Sequence, residues 1–220
     1  VRSTNLTDVL STVMNISGVD ALHRGIEVDF LSKPIKNLEI TGMISIGDWK
    51  WDNNGSGLLF TSQGMGWNAA ANNNRGAEVP VGDPNQTRSD VILKGIHVGN
   101  SAQTTAAIGV KYEVLKGFNI GIDGNYFGRN YANFSMTPTT YGRVVFEQPW
   151  EIPDAYVFDV NMSYRFKMGG FDASIIGNMQ NVFNTEYITD ATDGSKHDWS
   201  TASVFYGFGR TFSTTLKIKF

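Results

Sequence analysis

Residues 206–220 read YGFGRTFSTTLKIKF. One side of an extended chain here carries Phe208, Phe212, Thr214, Leu216, Ile218 and Phe220, and the other carries Thr211, Ser213, Thr215, Lys217 and Lys219. Successive side chains of a β-strand point to opposite faces. This is therefore a strand with one apolar and one polar face that finishes on an aromatic residue. A strand crossing a membrane in a barrel has this form, because it turns apolar groups to lipid and polar groups to the lumen. Phe220, with Ile218, Leu216 and Phe212 behind it, is expected to be the signal that assembly machinery reads in an outer-membrane barrel.

The same alternation recurs upstream. Tyr156, Phe158, Val160, Met162, Tyr164, Phe166 and Met168 alternate with Val157, Asp159, Asn161, Ser163, Arg165 and Lys167. Gly169-Gly170 follows, a pair suited to a two-residue hairpin turn because both positions can take positive φ. The return strand sets Phe171, Ala173, Ile175 and Met179 against Asp172, Ser174, Asn178 and Gln180. A two-residue turn places Lys167 opposite Asp172, a favourable cross-strand pair. Comparable patterns predict strands at 23–32, 38–51, 102–113, 118–131, 155–168, 171–183 and 204–220. Residues 1–22, with Val9, Val13 and Ile16, offer part of an eighth strand or an extracellular hairpin.

Loop lengths carry orientation. Short connections at 33–37, 114–117 and Gly169-Gly170 alternate with long ones at 52–101, 132–154 and 184–203. Outer-membrane barrels have short periplasmic turns and long extracellular loops, so the short side is expected to be periplasmic and Phe220 to lie at the periplasmic rim. Composition is compatible with this. The 220 residues include 24 glycines, no cysteine, 12% aromatics and 18% charged residues, with a net charge of −3. Disulfides and zinc-thiolate sites are excluded, and no basic footprint for nucleic acid is present. Mean hydropathy is −0.20, no apolar run reaches the roughly 18–20 residues of a spanning helix, and the first residues hold no secretory signal.

Several segments resemble the late-barrel strands of TonB-dependent outer-membrane receptors. They are His23-Arg24-Gly25-Ile26-Glu27-Val28-Asp29-Phe30, then Pro34, Leu38-Glu39-Ile40-Thr41-Gly42 and Gly47-Asp48-Trp49-Lys50-Trp51. Val98-Gly99-Asn100-Ser101-Ala102-Gln103-Thr104-Thr105 resembles the same family. Asn178-Met179-Gln180-Asn181-Val182-Phe183-Asn184-Thr185-Glu186-Tyr187-Ile188 resembles its penultimate-strand box, and Gly209 through Phe220 its last strand. The resemblance implies that residues 1–220 are the C-terminal part of the β-barrel, about the last seven strands of 22 around a plugged lumen. Plug and earlier strands would lie outside this chain. It further implies uptake of a scarce nutrient such as a siderophore, cobalamin, glycan or peptide. The implied partners are outer-membrane lipid and lipopolysaccharide, the remainder of the receptor and, through its plug, the TonB complex. A surface lipoprotein over the long loops is a further implied partner. Two alternatives stay open, a small self-contained outer-membrane barrel of structural or adhesive role and a soluble all-β sugar-binding domain.

No catalytic, cofactor or metal site is expected. His23, His97 and His197 are scattered, and Asp190, Asp193 and Asp198 lack the spacing of an EF-hand loop. Loop aromatics and amides are the candidate ligand contacts: Trp67, Asn72, Asn73, Asn74, Tyr141, Trp150 and Trp199. Each could equally be the core of a folded loop or a turn residue. Tyr and Trp near strand ends, including Trp51, Tyr131, Tyr156 and Tyr206, suit an interfacial girdle. The polar faces mix Glu27, Asp29, Glu39, Asp123, Asp159 and Asp172 with Lys111, Arg129, Arg165, Lys167, Lys217 and Lys219. That mixture suits a lumen filled by a plug more than an ion-selective pore.

Overall fold

The computed structural model describes residues 12–61, 63–74, 76–134, 143–194 and 196–219. In chain order the strands are β1 (Thr12–Ser17), β2 (Ala21–Ile35), β3 (Leu38–Trp51), β4 (Gly55–Thr61), β5 (Gly66–Asn68), β6 (Ala77–Val79), β7 (Arg88–Ile92) and β8 (Ala102–Leu115). They continue as β9 (Phe118–Tyr131), β10 (Arg143–Val145), β11 (Glu151–Ile152), β12 (Ala155–Met168), β13 (Phe171–Gln180), β14 (Ile188–Thr192), β15 (Ser203–Tyr206) and β16 (Thr211–Lys219). One helical turn, α1 (Ala71–Asn74), interrupts this all-β chain.

The chain forms two compact units. The larger takes residues 23–48, 99–133 and 150–220. It holds the strand path β16-β13-β12-β9-β8-β3-β2, with β11 added to β9. Pairings from β16 through to β3 are antiparallel. Among the described residues the path is open, with β16 and β2 at its edges.

The hairpin chemistry is as the residues dictate. Gly169 and Gly170 have φ of 54° and 92°, so a two-residue turn joins β12 to β13 without the Cβ clash an L residue would meet there. It sets Lys167 opposite Asp172, and their side chains meet at 2.6 Å.

This register sorts side chains into two faces. One row runs Phe212, Met179, Val160, Ile122, Val110 and Ile40 across six strands. The next runs Thr214, Gly177, Met162, Ile120, Tyr112 and Leu38. The opposite face carries Ser213, Asn178, Asn161, Gly121, Lys111 and Glu39 in one row.

One expected strand is corrected. The span 204–220 is two strands, β15 pairing with β14 and β16 with β13. The break falls at 207–210, where other groups take the backbone. Asn184 Oδ1 accepts the Arg210 N–H at 2.9 Å, Asn181 Nδ2 donates to the Phe208 carbonyl at 3.1 Å, and the Gly207 N–H donates to the Tyr187 carbonyl.

The smaller unit takes residues 1–22, 49–98 and 134–149, drawn largely from two of the long connections. Expected as loops, these fold into a sheet of their own, β10-β7-β4-β5-β6 with β1 on β4. Val91, Leu93, Ile96 and Phe146 form its core, with Met14, Ile16, Val19, Trp51 and Phe134 packed around them. β1 belongs to this sheet, so residues 12–20 supply no strand of the β16-to-β2 path, whose β2 takes in only Ala21 and Leu22 of this stretch; Val9 lies outside the described residues.

Candidate functional site

The main sheet leaves its apolar face exposed. Phe212 is 82% exposed, Ile26 74% and Leu216 57%, and Val28, Phe30, Ile46, Ile108, Ile122, Met162 and Ile175 are also exposed. Ile218, beside Ala173 in register, is half-buried, and Phe220 lies outside the described residues. Aromatic rings join across the strands, Phe118 edge-on to Tyr164 and Tyr126 against Tyr156 with centroids 5.0 Å apart. Of the expected girdle, Tyr156 and Tyr206 are exposed. Tyr131 and Trp51 are corrections. Tyr131 is buried, and Trp51 packs edge-on to Phe134 within the smaller unit.

The opposite face is a field of cross-strand polar contacts. Asp123 and Asp159 stand directly opposite each other, an arrangement that costs stability unless each carboxylate is engaged. Asn161 Nδ2 donates to Asp123 at 3.1 Å, and the Asn181 N–H donates to Asp159 at 2.7 Å. Glycines make room for this layer. A Cβ at Gly109 would meet Thr41 and Asp123, and one at Gly121 would meet Asn161. Toward the other strand end Arg129 reaches across β8 to donate to the Gly47 carbonyl at 2.7 Å; Arg24 pairs with Asp48 at 2.8 Å, each two residues from an apolar-face isoleucine, Ile26 and Ile46.

The loop candidates separate. Trp67, on β5, packs its indole on the backbone of Gly76, where it leaves no room for a Cβ, and Gly76 also takes a positive φ of 81°. Trp150 packs on the cluster Ala132, Ile152 and Ala191. Trp150 is thus part of a loop core, and Trp67 is half-buried over a glycine turn. Asn72, on α1 at φ 51°, donates from Nδ2 to the Gly76 carbonyl at 3.2 Å. Asn73 and Asn74 complete α1, and Tyr141 lies outside the described residues. Other amides in this stretch are also turn staples. Asn53 bridges Gly18 and Asp20, and Asn54 Oδ1 accepts the N–H groups of Leu93 and Lys94.

Trp199 is different, 76% exposed on a tightly built turn. Asp198 Oδ1 accepts both the N–H and the hydroxyl of Ser200, which holds its carboxyl below the ordinary carboxylate range. Asp193, buried, binds His197 and accepts the Trp150 N–H at 3.3 Å. Asp193 and Asp198 thus serve the loop's own structure, and His197 with them, while Asp190 sits in register opposite Phe205.

Asn181 was visible only as part of the penultimate-strand box, yet it is the hub of this region. It is buried with φ of 49°. Its side chain accepts the Thr185 N–H and donates to the Thr185 and Phe208 carbonyls, while its N–H reaches Asp159. The sequence signal that could have marked it is the asparagine itself at the end of an alternating strand, since Asn tolerates the left-handed backbone seen there better than most residues. Searches against protein-family models and against curated proteins found no match.

Proposed function

We propose that this chain is a stretch of wall in an outer-membrane β-barrel of the TonB-dependent receptor type, which takes up a scarce nutrient such as a siderophore, cobalamin, glycan or peptide. The apolar face meets lipid and the polar face lines the lumen. The supporting observation is the pairing of strand length with exposure. β3, β8, β9 and β12 each have 14 residues, against a usual mean of about 5–6. At about 3.4 Å per residue and a tilt near 40°, such a strand rises roughly 35 Å, enough to cross an apolar band of about 25 Å. Unpaired backbone edges are not tolerated in lipid, so β2 and β16 take further strands from the remainder of the barrel. Short turns then face the periplasm, and long connections face outward with Trp199 as the exposed aromatic for a ligand or a lipoprotein partner. No catalysis is assigned.

The resemblance to the receptor family and the two-faced sheet favour this reading over a soluble sugar-binding domain. It is tested by electrophoresis of membrane-extracted protein before and after heating. A heat-modifiable species several times heavier than 24.2 kDa supports a large receptor barrel. A heat-modifiable band at 24.2 kDa alone contradicts the receptor, and release from membranes without detergent contradicts the barrel.

A further inference from the structure

Two adjacent rows on the polar face of the main sheet concentrate positive charge. One runs Arg165, Ser174 and Lys217 across β12, β13 and β16, and the next runs Lys167, Asp172 and Lys219. Opposed side chains stand about 4.5–5.5 Å apart and diagonal ones about 7–8 Å, so four cations crowd around one carboxylate. All four are exposed. Asp172 is engaged by Lys167 at 2.6 Å. At the neighbouring turn Glu113 accepts the Gly117 N–H at 2.8 Å, and Gly117 in turn accepts the Arg165 N–H. Elsewhere this face is balanced or acidic, with Lys33 on Glu39 and Asp123 facing Asp159.

We infer that this patch docks an acidic polypeptide segment lying in extended form against the sheet. The inference rests on the barrel reading above, in which this face is the lumen wall. Clustered like charges repel, and a partner of opposite sign both relieves that repulsion and gains orientation from complementarity. The spacing selects the partner's form. Cations two residues apart, Arg165 with Lys167 and Lys217 with Lys219, repeat at about 6.8 Å along a strand, which is also the i to i+2 repeat of an extended peptide. A segment with acidic residues at alternate positions thus matches both rows. Anionic lipid is disfavoured by the face itself, since headgroup phosphates accompany acyl chains and the apolar residues point the other way.

The test is a titration of a fluorescent oligoglutamate peptide into the full chain in zwitterionic detergent, with strand content followed by circular dichroism. Combining Lys217→Gln with Lys219→Gln is expected to weaken binding roughly tenfold, the scale of losing two exposed charge pairs. Lys111→Gln, in the balanced part of the face, leaves it unchanged, and Lys217→Glu with Lys219→Glu shifts preference to oligolysine. Equal binding by the wild type and the glutamine variant overturns the inference. So does capture of phosphatidylglycerol vesicles through these lysines with no oligoglutamate binding. A chain that enters lipid but ignores oligoglutamate sinks the acidic-segment inference and keeps the barrel. One that binds oligoglutamate through these lysines but never enters lipid does the reverse.

Discussion

The two units use the same period-2 pattern to opposite ends. In the smaller one, β7 alternates Ser89 and Val91 inward with Arg88 and Asp90 outward, and Val91 and Leu93 are 0% and 1% exposed. In the main sheet the apolar alternates are the exposed ones, Ile26 at 74% and Phe212 at 82%. Each large apolar side chain left in water forgoes about 1.5–3 kcal/mol. A handful forgoes as much as an ordinary domain's entire stability, about 5–15 kcal/mol. The main sheet exposes several times that many, so its apolar face needs an apolar surrounding, whereas the smaller unit supplies its own.

The contrast can be broken most forcefully in the small core. Leu93→Ala is expected to cost about 2–5 kcal/mol because it leaves a cavity, read as faster hydrogen exchange over 55–61 and 88–93. On the proposed barrel reading Leu216→Ala costs less, since mobile lipid chains would close over the gap. A larger loss at Leu216 would reverse the assignment of the two regions. Next comes charge on the wide sheet. On the proposed barrel reading Met162→Arg is expected to cost about 2–4 kcal/mol of folding free energy in lipid vesicles, as a lipid-facing cation near mid-membrane would, while Ser163→Arg on the opposite face changes it little. Equal costs would abolish the distinction between faces.

Smaller effects sharpen the edges of the comparison. Asn181→Ala removes a buried amide with several partners and is expected to cost about 1–3 kcal/mol, with increased exchange at Thr185 and Gly207. An unchanged exchange pattern would remove Asn181 from its role as hub. A double-mutant cycle on Lys167 and Asp172 should give a coupling of only about 0.2–1 kcal/mol, because both side chains are largely exposed. A larger coupling would indicate that this rim is dry.

The long strands were legible from sequence, and the reason is local. Alternation sustained over a dozen residues has one interpretation, so β3, β9 and β12 begin and end where the pattern does. The Gly169-Gly170 turn likewise fixed the Lys167–Asp172 register. What escaped depends on partners far away in sequence. β4 and β7 are short, set among Asn and Gly, and gain their identity from pairing with each other and with β1, β5 and β10. The break at 207–210 comes from Asn181 and Asn184, which capture backbone groups that a continuous strand would have used. Trp67 and Trp150 could not be told from Trp199 by composition, since a glycine surface under one indole and an alanine cluster under the other are tertiary facts.

The most direct test of the central claim uses the absence of native cysteine. Val160→Cys, Asn161→Cys, Met162→Cys and Ser163→Cys would each carry a nitroxide on β12, with the chain in lipid vesicles. The account predicts a period of two, with oxygen collision high at 160 and 162 and a polar nickel reagent favoured at 161 and 163. Uniform access by the polar reagent at all four positions would contradict it.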